Sequence, residues 1–84
     1  MSQVATTVYI QDTCFHCHRQ IDWMEQQGYS FVTKEVSNPE HREEFFEHGG
    51  TGTPLTVTTG PDGEVTSVKG FQPEELENLL EEKN

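Results

Sequence analysis

Only two cysteines occur in the 84 residues, and they stand three positions apart. Small secreted domains held together by disulfides usually carry four or more, so the chain is not a disulfide scaffold. A loop that short also removes little entropy from the unfolded chain, which argues against a bond kept only for stability. Positive charge is scarce as well: Lys and Arg number 5 against 15 Asp and Glu, for a formal net charge of −10. Such a surface repels phosphate backbones and anionic headgroups, which excludes nucleic-acid binding. The acidity itself fits three readings: solubility, a salt-rich cytoplasm, or a basic partner surface that it steers toward. Long apolar runs are missing too. None approaches the roughly 20 residues of a membrane span, and the opening MSQVATTVYIQD has neither the basic start nor the apolar stretch of a secretory leader. The expectation is a cytoplasmic protein that engages no membrane. What is present, 31% hydrophobic and 10% aromatic residues, suffices for one modest core, so residues 1–84 are read as a single domain.

Residues 4–10, VATTVYI, are rich in β-branched and aromatic side chains, as in a strand buried on both faces. From Phe15 to Gln27, the positions Cys17, Ile21, Met24 and Gly28 recur at helical spacing, with Gly28 as the stop. Residues 29–36, YSFVTKEV, alternate as a second strand does. Ser37-Asn38-Pro39-Glu40 then supplies a cap, a first-turn proline and an early acid for a helix over residues 39–48. Phe45 and Phe46 are the main apolar residues of that helix. LTVTT, the turn Gly60-Pro61-Asp62-Gly63, and EVTSV predict an antiparallel hairpin. Pro73 suits the first position of a last helix, whose stripe is Leu76, Leu79 and Leu80 and on which Phe71 can close as a hydrophobic staple. The order is β-α-β-α-β-β-α, with the first two strands parallel across a right-handed crossover.

The cysteines open the first helix, in DTCFHCHRQ. The unpaired N–H groups and positive end of that helix face Cys14 and favour its thiolate, which makes it the candidate nucleophile. Cys17, one turn later on the same face, is placed to resolve a mixed disulfide formed on Cys14. His16 and His18 either add positive charge beside the sulfurs or face solvent as ordinary helix-start residues. Phe15 offers an apolar rim to a partner or folds back on the Thr53-Pro54 loop. A zinc site is the competing reading, since Cys-x2-Cys is half of many such sites and His16, His18, His41 and His48 are available. His41 and His48 are seven apart, outside the usual partner spacing, and no second Cys-x2-Cys exists. No metal is therefore expected.

A strand, TCFHCHR opening a helix, TGTP before a hairpin, and a Gly-Phe before the last helix together resemble the glutaredoxins, over nearly the whole chain. That resemblance implies the α/β thioredoxin fold, a four-stranded mixed sheet flanked by helices. It implies a thiol-disulfide oxidoreductase and electron carrier in cell redox homeostasis, monomeric, with a redox-active disulfide and no tightly bound cofactor. By the same resemblance the Thr53–Pro54 bond is cis and sits against Cys14. Thr53 and Pro54 then line a substrate groove, Gly70 and Phe71 complete its far side, and Phe15 and His16 shape its rim. Glutaredoxins that use glutathione carry a basic residue shortly before the first cysteine, and Gln11 stands there in this chain. Residues 68–74, VKGFQPE, are similar instead to the Gly-Phe-Arg-Pro-Asp of NrdH-redoxins, with Gln72 and Glu74 replacing Arg and Asp. Those proteins take electrons from thioredoxin reductase and pass them to ribonucleotide reductase. The implied donor is thioredoxin reductase or glutathione, and the implied substrate a protein disulfide such as that of ribonucleotide reductase. The alternatives are a glutathione-dependent glutaredoxin, an iron–sulfur or metal-holding glutaredoxin-like protein, and a binding module without turnover.

Overall fold

The structure is a computed structural model that describes residues 5–82. Its elements are β1 (Ala5–Ile10), α1 (Phe15–Gln27), β2 (Val32–Glu35), α2 (Pro39–Glu47), β3 (Leu55–Thr59), β4 (Val65–Lys69) and α3 (Pro73–Glu82). The strands form one sheet in the order β2-β1-β3-β4. β1 runs parallel to β2 and antiparallel to β3, and β3 runs antiparallel to β4. This is the thioredoxin fold that the resemblance to glutaredoxins implied.

Successive side chains of a strand point to opposite faces, so an interior strand with helices on both sides needs apolar residues at neighbouring positions. β1 meets that demand with Val8 and Tyr9, both almost fully buried. On one face Val8, Met24 of α1, Val68, and Leu76 and Leu80 of α3 form a core, with Phe71, Trp23 and Tyr29 packed at its border. On the other face Tyr9, Val36, Leu55 and Val57 pack against Phe45 of α2. The Tyr9 hydroxyl donates to Glu44 Oε1 at 2.9 Å, and Lys34 Nζ donates to the same oxygen at 2.8 Å. α2 is thereby tied to both β1 and β2.

The helix ends are set by short-range chemistry. Asn38 caps α2, its side-chain oxygen accepting from the Glu40 N–H at 2.9 Å, with Pro39 in the first turn where no N–H is needed. α1 stops at Gly28, whose φ of +80° is open to a residue without Cβ. The hairpin closes through Gly60 N–H to the Glu64 carbonyl at 2.8 Å.

Three boundaries differ from the sequence expectation. β2 covers Val32–Glu35 rather than residues 29–36, because Tyr29 and Phe31 leave the ladder to pack on the Val8 core. β4 runs from Val65 to Lys69, one residue later than predicted. The second helix ends at Glu47, with His48 as its cap. Phe46 is 61% exposed, so Phe45 alone carries the apolar face of α2. Val4, assigned to the first strand, lies outside the described residues. Among the described residues no helix is long and apolar enough to cross a membrane.

Candidate active site

Cys14 is the N-cap of α1, with extended backbone angles (φ −87°, ψ 109°) that turn the chain from the β1 loop into the helix. Its own N–H donates to the Gln11 carbonyl at 3.1 Å, which fixes the loop. In place of the usual capping oxygen, Cys14 Sγ accepts the Cys17 backbone N–H at 3.2 Å. A sulfur so placed faces the unsatisfied N–H groups of the helix, and a negative charge on it is favoured there. Cys14 and Cys17 are joined as a disulfide, with Cα atoms 5.2 Å apart. The two sulfurs have unlike surroundings: Cys14 is partly exposed and Cys17 is fully buried.

The Thr53–Pro54 peptide bond is cis, and it brings the Thr53 carbonyl oxygen to 3.6 Å from Cys14 Sγ. The Thr53 hydroxyl donates to Gln11 Oε1 at 3.2 Å, which joins this loop to the one before Cys14. Pro54 is buried, and its carbonyl accepts the Gly70 N–H at 2.8 Å. Gly70 takes φ +81°, a conformation that disfavours other residues. Cys14, Thr53, Pro54 and Gly70 thus come together from three separate loops.

Phe15 is 68% exposed, with His16 ring-to-ring at 6.0 Å and the Arg19 guanidinium 5.8 Å above its ring. It stands out from the surface and does not fold back on the Thr53 loop. Phe71 is half-buried, its ring 5.9 Å from Trp23 at the border of the Val8 core. His18 is exposed, with Nε2 3.0 Å from the Asp12 carbonyl oxygen. Among the described residues no group of three or more His, Cys, Asp or Glu is arranged to hold a metal ion.

Two features escape a reading of the sequence. A cavity of about 410 Å³ lies beside the Thr53 loop, lined by Gln11, Thr53, Phe45, Phe46 and the guanidinium of Arg42 among others. Arg42 is held toward it by donating to the Val36 and Ser37 carbonyls at 3.1 and 3.4 Å. Nothing in HREEFF separates this arginine from a solvated helix charge. The other is Gln20, a polar residue of α1 that is fully buried. Away from the sulfurs, burial and the Glu44 carboxylate push the Tyr9 hydroxyl up to about 12. Hydrogen bonds from Lys34 and Tyr9 hold the Glu44 carboxyl below its ordinary value.

No protein-family model and no curated protein sequence matches the chain. Solved structures do. Escherichia coli NrdH-redoxin superposes with a TM-score of 0.74 at 26% identity, covering 89% of this chain and 93% of that one. A thioredoxin-like protein known from its crystal structure gives 0.74 at 28% identity, covering 89% and 99%. The chain belongs to the glutaredoxin/thioredoxin-like superfamily. Fasciola hepatica thioredoxin shares the fold of this superfamily member at TM-score 0.79 and 16% identity, over 98% of this chain and 82% of the other. With its Cys-x2-Cys pair at the head of α1, this thioredoxin-like protein is a thiol-disulfide oxidoreductase.

Proposed function

We propose that the protein is an electron carrier that reduces protein disulfides through Cys14 and is recycled by thioredoxin reductase in the cytoplasm. The observation that carries this reading is the contrast between the two sulfurs, one capping a helix within reach of solvent and the other sealed beneath it. In the dithiol state the Cys14 thiolate attacks a substrate sulfur, and the second substrate sulfur leaves as a thiolate. Cys17 then gives up its proton and attacks Cys14 Sγ, the first substrate sulfur leaves, and the Cys14–Cys17 bond closes. Two electrons have passed to the substrate, and an external dithiol returns them. The groups of Thr53 lie where an extended substrate segment would pair, with Phe15 and His16 at the rim and Gly70 and Phe71 on the far side. The disulfide of a ribonucleotide reductase is the kind of substrate this reading expects.

A second reading, glutathione as reductant, is favoured by the Arg42 cavity, which offers a cationic side chain to a carboxylate beside the Thr53 loop. Against it stand Gln11, which brings no charge, and the net charge of −10, which opposes an anionic thiol. One experiment decides between them. The oxidised protein is offered NADPH with thioredoxin reductase, and separately glutathione with its reductase, while insulin reduction is followed. Turnover with the flavoenzyme, lost in Cys14→Ser and halted as a trapped mixed disulfide in Cys17→Ser, is the expected result. Turnover with glutathione alone overturns the choice of donor, and unchanged turnover in Cys14→Ser overturns the mechanism.

A further inference from the structure

Cys17, Gln20 and Met24 follow one another at helical spacing along the inner face of α1, and none of the three has any exposed surface. They pack toward β3, where Thr56, also fully buried, lies in register between Val8 and Val68. The same face also buries the hydroxyls of Thr6 and Thr58, and Gln20 is the one carboxamide among the buried described residues. Gln20 Nε2 donates to Thr56 Oγ1 at 2.5 Å and to Met24 Sδ at 3.5 Å. A thioether sulfur only accepts, so the nitrogen is the end that faces it. The oxygen, Gln20 Oε1, is left buried with no hydrogen-bond partner among the described residues.

A buried carbonyl without a donor is destabilising, and a leucine would fill the site without that penalty. The amide is explained if its partner exists only in the other redox state. The structure holds the disulfide, in which Cys17 Sγ carries no hydrogen. Reduction by an external dithiol, or by two thiols that leave as their own disulfide, adds two electrons, breaks the S–S bond, leaves Cys14 as thiolate, places one proton on Cys17 and releases the other to solvent. That step creates a new donor three residues before Gln20. Side chains at that spacing have Cβ atoms about 5–6 Å apart, within reach of a rotating carboxamide.

We propose that Gln20 is a positioning residue whose carboxamide oxygen accepts the hydrogen bond of the Cys17 thiol formed on reduction, with Thr56 anchoring the other end of the amide. An acceptor of this kind favours thiol over thiolate, so Cys17 keeps its proton until Cys14 is engaged with a substrate. It also stabilises the dithiol relative to the disulfide and makes the pair a stronger oxidant than it would be with an apolar residue at position 20. The proposal rests on the redox roles given above for Cys14 and Cys17.

The test uses Gln20→Leu in the full chain, equilibrated in dithiothreitol buffers of graded ratio. The expected result is a shift of the equilibrium toward the disulfide by about 3- to 10-fold, the size of one ordinary hydrogen bond. A direct readout comes from infrared spectra of Cys14→Ser, where Cys17 carries the only S–H oscillator. Its stretching band is expected at lower frequency with Gln20 than with leucine, a change that altered packing alone does not give. Should Gln20→Leu not fold, Gln20→Met keeps the unbranched length of the side chain while removing the carbonyl, and the same two measurements apply. An equilibrium within twofold of the parent, or an S–H band that does not move, overturns the proposal. Either outcome leaves the electron-carrier reading intact so long as Cys14→Ser abolishes insulin reduction.

Discussion

Gly50→Ala tests how tightly the packing of α2 is coupled to the loop that carries Thr53. A Cβ on Gly50 would stand 2.5 Å from Phe45 Cε1 and 2.6 Å from Cδ1 and Cζ, closer than real contacts allow. The Phe45 ring packs with Tyr9, Val36, Leu55 and Val57, its ring centre 5.9 Å from that of Tyr9, so a retreat toward the cavity it also lines gives up those contacts. The backbone is restrained as well, because the Gly50 N–H donates to the Phe45 carbonyl at 2.8 Å. Overpacking of this kind costs about 1–3 kcal/mol, and loosening that hydrogen bond adds about 0.5–1.5 kcal/mol. A net loss of about 2 kcal/mol lowers the Tm of a domain this small by about 8–16 °C. Urea unfolding of the oxidised protein gives the free energy. Making room with Phe45→Leu in the same chain should give a favourable coupling in the double-mutant cycle. Because residues 51–54 follow directly, kcat/KM for insulin reduction should fall with the single change and partly recover in the double one. A loss below about 0.5 kcal/mol, or strictly additive changes, would refute the steric argument.

Three further outcomes follow from named contacts. Tyr9 keeps its proton to about 12 in the folded state against about 10 when unfolded, so the folded chain binds more protons between these values. Stability therefore falls as pH rises from about 10 to about 12, by at most about 3 kcal/mol, and Tyr9→Phe should show no such step in urea titrations at alkaline pH. The Glu44 carboxyl is held low by Lys34 and Tyr9, so its contribution is present above the ordinary glutamate range and disappears as pH falls through the folded-state value. Acid unfolding of Glu44→Gln should accordingly begin from a lower plateau and show a shallower fall than the parent. Asn38→Ala removes the cap on the Glu40 N–H and should cost about 1 kcal/mol in the urea midpoint while leaving disulfide reduction unchanged.

The parts of the fold that could be read in advance are those where one local rule decides the outcome. A proline after a capping asparagine, a Gly-Pro-Asp-Gly turn and a leucine stripe each fix an element without help from the rest of the chain. β2 could not be bounded that way. Tyr29 and Phe31 satisfy strand alternation as well as Val32 does, and only the core beside Trp23 draws them off the ladder. The inner stripe of α1 departs from the sequence pattern for a related reason. The pattern favoured Ile21, whereas the fully buried turn is Gln20 and Ile21 is only half-buried. Polarity ranks glutamine as an outside residue, and nothing local announces that Thr56, 36 positions away, will receive its amide. The cysteine pair was legible because helix-start chemistry is local, while the cavity around Arg42 is assembled by tertiary contacts from α2, the β2 end and the Thr53 loop.

The burial of one sulfur and not the other also governs what happens when a peroxide arrives. The oxidant meets Cys14, and a sulfenic acid forms there, with its neighbour one helical turn away and out of the oxidant's reach. The Cys17 thiol displaces hydroxide from that sulfur, water departs, and the ring closes before a second oxygen can add. Damage is thereby diverted into the bond that the next reductant opens.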